Sequence, residues 1–250
     1  INGGIANGMP VVFRTVVKST TMCNMIRDLS REEINIVTLE DPVEYHIPGV
    51  SQCQINEKTG MTFASGLRSI LRQDPDIIMV GETRDGETAG TSVRAAITGH
   101  MVLSTLHTND AVSSIVRLQD MGVETYLVAN SLVGLVAQRL LRKVCPSCAR
   151  EMETTEQERL FLGRDVKKIH RGMGCSHCNH TGYSGRIAVH EILPVNNEIR
   201  RMIVDHETIE EITKYAVEHQ HMRTLKESGL ILVKEGVTTP EELMKISYGE

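Results

Sequence analysis

Short apolar runs alternate with helical patterns along the first half of the chain. The runs 36–39, 77–80 and 101–103 are mostly aliphatic and carry no charge, as expected of strands that are buried on both faces of a parallel sheet. Between them, the stretches 63–73 and 109–121 repeat apolar residues at helical spacing, which predicts amphipathic helices. This alternation predicts an α/β fold with a three-layer core and a mainly parallel sheet.

The pattern changes after residue 142. Residues 143–192 contain two Cys-x-x-Cys pairs, several glycines and little periodicity, which indicates a small lobe organised by a metal. Farther on the chain becomes helical, because Thr208 and Glu211 fit a capping box and Pro240 suits the first position of a helix. The sequence therefore predicts three domains: a core at 1–142, a cysteine lobe at 143–192 and a helical subdomain at 193–250.

Composition narrows the functions that such a core can have. Of the 250 residues, 40% are hydrophobic and 24% are charged, which is typical of a folded globular protein. Aromatic residues make up only 3% and tryptophan is absent, so the core must be aliphatic and a base-stacking surface is hard to build. The formal net charge of −5 also argues against a face that binds phosphate backbones. We therefore expect no nucleic-acid partner.

Neither a transmembrane segment nor a signal peptide is predicted. No apolar run approaches the length needed to cross a bilayer, and the first ten residues lack the basic and apolar regions of a signal peptide. We therefore expect a cytoplasmic protein, whose cysteines stay reduced and do not form structural disulfides.

Polar side chains follow each of the three buried runs. The first run leads into Glu40, the second into Glu82 and Arg84, and the third into His107. In an open parallel sheet, ligands bind beyond the carboxyl ends of the strands, so these residues are expected to meet at one edge. Carboxylates, an imidazole and nearby arginines suit a site for Mg²⁺ and a polyphosphate. Taken singly, each of these residues is also explained as a charged loop residue or a helix cap, and so is Asp110. Polar residues after three strands together favour a site.

A candidate phosphate-binding segment lies near the start of the chain. Lys18, Ser19 and Thr20 follow a strand-like run and precede a helical stretch, in the order of a P-loop. The P-loop pattern G-x-x-x-x-G-K-S/T, however, has valine at both glycine positions, Val12 and Val17. Valine restricts the backbone, and its Cβ hinders the approach of the backbone N–H to phosphate. Taken alone, the motif fits a chance match better than a phosphate cradle.

The cysteine spacing predicts a structural zinc site. Four of the six cysteines form the two Cys-x-x-Cys pairs: Cys145, Cys148, Cys175 and Cys178. Four thiolates at this spacing suit a closed tetrahedral site with no open position for catalysis; a redox dithiol or metal-free cysteines are the alternatives. His177 and His180 lie close in sequence, yet a complete cysteine set leaves them no vacancy. Cys23 and Cys53 are interpreted as isolated core or surface residues.

From Lys18 onward the chain resembles the ATPases that drive type II secretion and type IV pilus assembly. TLEDPVE (38–44) resembles the Asp box of that family, DPDIIMVGETRD (74–85) its Walker B segment and GHMVLSTLHTNDA (99–111) its His box. AQRLLRKVCPSC (137–148) with CSHCNHTGYSGRIAVHE (175–191) resembles the tetracysteine zinc lobe of the extension subfamily. The resemblance implies the C-terminal motor portion of such a protein: a RecA-like core that hydrolyses ATP to power pseudopilus or pilus assembly or protein secretion.

The resemblance also implies a role for each candidate residue. Glu82 would lie with Mg²⁺ and the attacking water, Glu40 would orient or activate water, and His107 would sense the γ-phosphate. Which of Glu40 and Glu82 acts as the catalytic base stays open. The remaining cofactor-binding candidates are Lys18 on the β/γ-phosphates, Ser19 on Mg²⁺ with Thr20 beside it, and Arg72 and Arg84 as charge stabilisers. The implied cofactors are ATP, Mg²⁺ and Zn²⁺.

Partners and location follow from the same resemblance. The family implies a homohexamer that pushes on an inner-membrane platform protein of a secretion or pilus machine. Since the sequence predicts no transmembrane segment, we expect the chain to be held at the cytoplasmic face of the inner membrane through such partners. Whether the cargo is a pilus or a pseudopilus stays open.

Two features depart from the family pattern. Similarity stops abruptly at Lys18, so residues 1–17 are either a start foreign to the family or a decayed, degenerate P-loop. The N-terminal domains of the family, which supply arginines to a neighbouring subunit, are also absent from this sequence, and a trans arginine is worth about 10³–10⁵ in rate in other nucleotide hydrolases. We therefore expect a poor ATPase. The alternative function is a catalytically impaired subunit or fragment that keeps the fold but binds nucleotide weakly.

Overall fold

A computed structural model describes residues 11–15 and 19–247 of the chain, which form an α/β fold. The strands are β1 (Val11–Thr15), β2 (Ile36–Glu40), β3 (Ser51–Gln54), β4 (Ile77–Val80), β5 (Met101–Leu106), β6 (Leu132–Val144), β7 (Ala149–Glu153), β8 (Lys168–Gly172) and β9 (Tyr183–Pro194). The α-helices are α1 (Ser19–Leu29), α2 (Phe63–Ile70), α3 (Gly86–Ile97), α4 (Ser113–Asp120), α5 (Thr125–Ser131), α6 (Glu156–Leu162), α7 (Asn197–Val204), α8 (Ile209–Gln220), α9 (Leu225–Lys234) and α10 (Pro240–Ser247). Short 3₁₀ turns occur at Glu57–Thr59, Leu71–Gln73 and Ser176–Cys178.

Seven strands form the main sheet, in the order β3-β2-β4-β5-β1-β6-β9. The pairs β2/β3, β2/β4, β4/β5, β1/β5 and β1/β6 are all parallel. Parallel strands need crossover connections, and α2 and α3 supply helices between successive strands along the chain. Because these strands run the same way, the carboxyl ends of β2, β4, β5 and β1 lie at one edge of the sheet.

The predicted strands and helices are confirmed, with small shifts at their ends. The three apolar runs lie in β2, β4 and β5, and both β2 and β4 are buried along their whole length. The helix predicted at 109–121 begins later, at Ser113, because the Asp110 carboxylate accepts the backbone N–H of Ser113 at 2.7 Å. Asp110 is therefore a capping residue, as one of its two interpretations proposed.

The core is aliphatic, as the scarcity of aromatic residues predicted. The largest fully buried side chains are all isoleucine or leucine: Ile26, Ile36, Leu39, Ile47, Leu67, Ile78, Leu103, Leu106, Leu118, Leu132 and Leu135. Helix α1 packs on the sheet through Met22, Cys23 and Ile26, which cluster with Ile36 of β2 and Met79 of β4. Cys23 is thus a small core residue, as interpreted from the sequence. This packing holds one face of α1 against the sheet.

The described chain separates into two compact units. The first contains the residues up to Ala137 together with Ile192–His221, and the second contains Gln138–Glu191 together with Met222–Glu250. The helices after residue 192 are divided between the two units. The physical reason is packing: α7 contacts α5 in the first unit, whereas Val233 and Leu243 join the hydrophobic cluster of the second. In the described part of the chain, no helix is both long and apolar enough to cross a bilayer.

A buried ion pair holds part of the second unit together. Glu242, which is 5% exposed, accepts hydrogen bonds from the guanidinium and the backbone N–H of Arg142, at 2.7 and 3.0 Å. The Arg142 guanidinium also lies 4.0 Å from the centre of the Tyr183 ring. Burial alone would raise the pKa of Glu242, but the hydrogen bonds from Arg142 and the Lys245 ammonium lower that pKa to about 2. The carboxylate is therefore more acidic in the folded state than in the unfolded chain.

Replacing Glu242 with glutamine should lower the free energy of unfolding at pH 7 by about 3 kcal/mol, because a pKa shift from 4.5 to about 2 is worth about that much. The stabilisation is complete above the ordinary glutamate pKa and is lost as the pH falls through about 2. The difference between wild type and E242Q, measured by urea unfolding, should therefore shrink steadily below pH 4.5. The control is E241Q, since the half-exposed Glu241 pairs with Arg171 and should matter by less than about 1 kcal/mol.

Candidate functional site

Three of the predicted site residues meet at the carboxyl edge of the sheet. Glu40 ends β2, Glu82 follows β4 by two residues, and His107 follows β5. All three line one cavity of about 180 Å³. The other residues that line this cavity are Met22, Cys23, Asp41, Pro42, Glu44, Phe63, Met79, Gly81 and Thr105. The cavity combines four acidic residues and an imidazole with apolar walls, and it suits a ligand that includes a cation, such as a metal ion bound to phosphates.

Glu82 lies between the side chains of Arg84 and His107. Its carboxylate contacts the Arg84 guanidinium at 2.5 Å and His107 Nε2 at 3.6 Å. The Glu82 side chain is 16% exposed, whereas those of Arg84 and His107 are 64% and 73% exposed. The carboxylate is thus fixed close to the sheet, while the arginine and the imidazole can reach a ligand that enters from solvent.

Hydrogen bonds from residues of β2 and β3 hold the side chain of Glu40. The residue is 4% exposed, and its Oε1 accepts hydrogen bonds from the hydroxyl of Thr38 at 2.6 Å and from the side-chain amide of Gln52 at 2.9 Å. A buried carboxylate is costly unless it is hydrogen-bonded, and these two donors offset that cost. Neither Thr38 nor Gln52 was identified as a site residue from the sequence.

A set of hydrogen bonds ties the ends of β4 and β5 together. The backbone N–H of Thr83 donates to the carbonyl of Thr105 at 2.9 Å, and the Thr105 hydroxyl donates to the carbonyl of Gly81 at 2.6 Å. The hydroxyls of Thr83 and Ser104 lie 2.7 Å apart, and both residues are buried. Glu82, between Gly81 and Thr83, is therefore anchored on both sides. Ser104 and Thr105 lie near the end of β5 and were not identified as site residues from the sequence.

The structure does not bring Arg72 to this cavity. Arg72 is exposed in the turn Leu71–Gln73, which precedes β4. The side-chain amide of Asn35, just before β2, donates to the carbonyls of Gln73 and Asp74, both at 3.1 Å. The turn therefore lies at the amino ends of β2 and β4, opposite the edge where Glu40 and Glu82 meet.

The P-loop candidates are only partly described. Lys18 and Val17 lie outside the described residues, while Ser19 and Thr20 begin α1 directly after β1. The next turn of α1 reaches the cavity, which Met22 and Cys23 line. Burial, followed by the negative charge of the Glu40 and Glu44 carboxylates, raises the pKa of the Cys23 thiol. Cys23 therefore stays a neutral, apolar part of the cavity wall.

Four cysteines form a second candidate site, in the second unit. The sulfur atoms of Cys145, Cys148, Cys175 and Cys178 all lie within 4.8 Å of one another. Among the residues that the structure describes, this is the one group of histidine, cysteine and acidic side chains placed to share a metal ion. His177 and His180 are not part of it. The cluster therefore could bind a metal, and its all-thiol donor set suits a soft or borderline ion such as zinc.

The surroundings favour the thiolate form at Cys178, whereas burial and the neighbouring cysteines raise the pKa of Cys148 to about 11. The backbone N–H groups of Cys175 and Gly182 donate to Cys178 Sγ at 3.2 and 3.3 Å. Burial alone would raise the pKa of Cys178, but these hydrogen bonds lower it to about 6. Glycine is needed here, because a Cβ on Gly172 would lie 1.9 Å from the carbonyl oxygen of Gly182, whose own φ is +78°. The close backbone approach therefore closes the loop that carries Cys175 and Cys178.

Comparisons with known proteins agree with this arrangement. A family model described as "Type II/IV secretion system protein" matches residues 17–245. The type II secretion system protein E of Aeromonas hydrophila is 44% identical over 233 residues, which cover 92% of this chain and 46% of that protein. The type IV pilus assembly ATPase PilB of Thermus thermophilus is 46% identical over 232 residues, which cover 91% of this chain and 26% of that protein. The chain thus spans less than half the length of these relatives.

Solved structures with the same fold include two ATPases. The pilus retraction motor PilT, solved with bound ADP, is 30% identical with a TM-score of 0.71, over 96% of this chain and 62% of that chain. The ATPase DotB of Legionella pneumophila is 23% identical with a TM-score of 0.69, over 97% of this chain and 61% of that chain. These likenesses confirm the predicted α/β fold with a parallel sheet. Since the family model covers nearly the whole described sequence, this chain belongs to the type II/IV secretion system protein family.

Proposed function

We propose that this chain is the motor portion of an ATPase that hydrolyses ATP to power protein secretion or the assembly of a pilus or pseudopilus. The observation that carries this proposal is the meeting of Glu40, Glu82 and His107 in one cavity at the carboxyl edge of a parallel sheet. Family membership supports it, since relatives are named as secretion and pilus assembly ATPases. Family membership also favours an active ATPase over a catalytically impaired subunit.

The cavity suggests a division of labour among its residues. Glu82 holds Mg²⁺ and the attacking water, Glu40 orients or activates that water, and His107 contacts the γ-phosphate. Arg84 stabilises the charge that develops on the phosphates, since its exposed guanidinium stands beside Glu82. Lys18, Ser19 and Thr20, at and just before the start of α1, contact the phosphates and the metal. Positioning and charge stabilisation of this kind supply most of the rate in phosphoryl transfer.

The proposal extends to the rest of the chain and its surroundings. The core would be RecA-like with three layers, the cysteine cluster would hold a structural Zn²⁺, and the residues after 192 would complete a helical subdomain. Subunits would assemble into a homohexamer that works with an inner-membrane platform protein at the cytoplasmic face of the membrane. Arg72, which is exposed at the opposite edge of the sheet, would then contact nucleotide only if it is the nucleotide of a neighbouring subunit.

Calorimetric titration with Mg-ATP tests the proposal. We expect binding with a dissociation constant in the micromolar range, which corresponds to about −8 kcal/mol. Replacing Val12 and Val17 with glycine should tighten binding by about tenfold or more, because phosphate can then approach the backbone N–H groups. Alanine at the same positions is the matched control, since it keeps a Cβ. Absence of Mg-ATP binding in both the wild type and the glycine variant would contradict the proposed function.

A further inference from the structure

The register of β2 and β3 gathers three polar side chains on one face of the sheet. Thr38 and Glu40 are two residues apart on β2, so both side chains point to the same face. Gln52 of β3 lies directly opposite Thr38 in the parallel ladder, and directly opposed residues also share a face. Both donors reach the same atom, Oε1 of Glu40. The three side chains therefore form a connected group next to the cavity.

The orientation of the Gln52 amide is fixed by the backbone. Its Oε1 accepts the N–H of Ile47 at 2.7 Å, and its Nε2 donates to the carbonyl of Tyr45 at 2.9 Å. A backbone N–H can only donate and a carbonyl can only accept, so the amide cannot be flipped. Gln52 must therefore present an N–H to Glu40.

The two oxygens of Glu40 have different surroundings. Oε1 takes both donors, whereas no side chain or backbone group in the described part of the chain donates to Oε2. Glu40 lines the cavity, so Oε2 is the oxygen left to accept a hydrogen bond from a ligand or a water. Asp41, Pro42 and Glu44 also line the cavity, and the segment that carries them is tied to the same amide through Tyr45 and Ile47.

We propose that Thr38 and Gln52 are positioning residues that hold Glu40 Oε1, so that Oε2 faces the reacting phosphate and its water. Gln52 also holds the segment 41–47 in a fixed position relative to Glu40, so that the carboxylate and this wall of the cavity keep their relative arrangement. The inference rests on the proposed function, because it assigns the two residues to ATP hydrolysis. It adds two residues that act through Glu40 and do not touch the nucleotide.

The first test compares steady-state hydrolysis of Mg-ATP in the full chain. T38V and Q52L remove each donor at nearly constant volume, and we expect kcat to fall by about 10- to 100-fold with KM changed less than about threefold, since misplacing a catalytic group costs about this much. T38S keeps the hydroxyl and should recover most of the rate. T91V and Q119L are controls away from Glu40, since Thr91 bonds within α3 and Gln119 bonds Thr125.

The second test asks whether the two residues act through Glu40. In an E40Q background, T38V and Q52L should lower kcat by less than about twofold, since the group that they position has already been lost. Full, multiplicative losses in that background would overturn the proposal, as would wild-type kcat in T38V and Q52L. These outcomes assign both residues to the stability of the fold instead.

A separate measurement distinguishes this inference from the proposed function. A wild-type chain that does not hydrolyse ATP would contradict the proposed function. In that case, thermal unfolding still tests whether Thr38 acts through Glu40. T38V should lower the unfolding midpoint in the wild type but raise it or leave it unchanged in an E40L background, because the buried hydroxyl has then lost its acceptor. Equal decreases in both backgrounds would show that Thr38 does not act through Glu40.

Discussion

Replacing Glu82 with glutamine should lower kcat for Mg-ATP hydrolysis by about 10²–10⁴-fold, the range expected when a positioned acid or base is lost. Glu82 is the acidic residue that contacts both Arg84 and His107. Glutamine keeps the shape of the side chain but has no charge to hold Mg²⁺ or to take a proton. Affinity for ATP, measured by calorimetry, should change by less than about tenfold, because the phosphates are mainly held elsewhere.

The matched control is E87Q. Glu87 is an exposed glutamate at the start of α3 that pairs with Arg68, and its loss should leave kcat unchanged. E40Q, measured alongside, tests which of the two glutamates is the catalytic base. The base is the residue whose glutamine variant shows the larger loss of kcat at unchanged KM. If E82Q kept more than about half of the wild-type kcat, a change far too small for loss of a catalytic group, Glu82 would have no catalytic role.

Removing the cysteine ligands should have the largest effect on stability. We expect about one zinc per chain by elemental analysis, since four thiols within 4.8 Å match a closed tetrahedral site. C178S should abolish metal binding and lower the unfolding midpoint of the second unit, because structural zinc contributes about 10–16 kcal/mol of binding free energy that is also folding free energy. A chelator should do the same to the wild type.

C53S is the control for this prediction. Cys53 lies on β3 in the first unit, partly exposed and apart from the cluster, so its replacement should leave both the metal content and the unfolding midpoint of the second unit unchanged. A well-folded chain with clearly less than one zinc, or a C178S variant as stable as the wild type, would contradict a structural metal site.

Local patterns were enough to predict much of this protein. Strands β2, β4 and β5 follow from aliphatic runs, and the polar residue at each strand end follows from chain order alone. The capping box at Thr208 and the helix that begins at Pro240 were also predicted from neighbouring residues, and both are observed. In these cases the residues that determine the structure lie within a few positions of one another, so the sequence contains the whole interaction.

Long-range pairing decided the features that the sequence did not predict. Gln52 reaches Glu40 only because the register of β2 and β3 places it opposite Thr38, and a shift of one residue would turn it to the other face. Glu242 and Arg142 are 100 residues apart, and no local pattern links them.

The sequence by itself therefore determined the α/β class, the three polar strand ends and the group of four cysteines that could share a metal ion, because each is set by local spacing and chemistry. Only the tertiary structure decided that Thr38 and Gln52 hold the Glu40 carboxylate and that Glu242 pairs with Arg142. The physical reason is that strand order and register, which bring distant side chains within hydrogen-bonding distance, depend on the packing of the whole core.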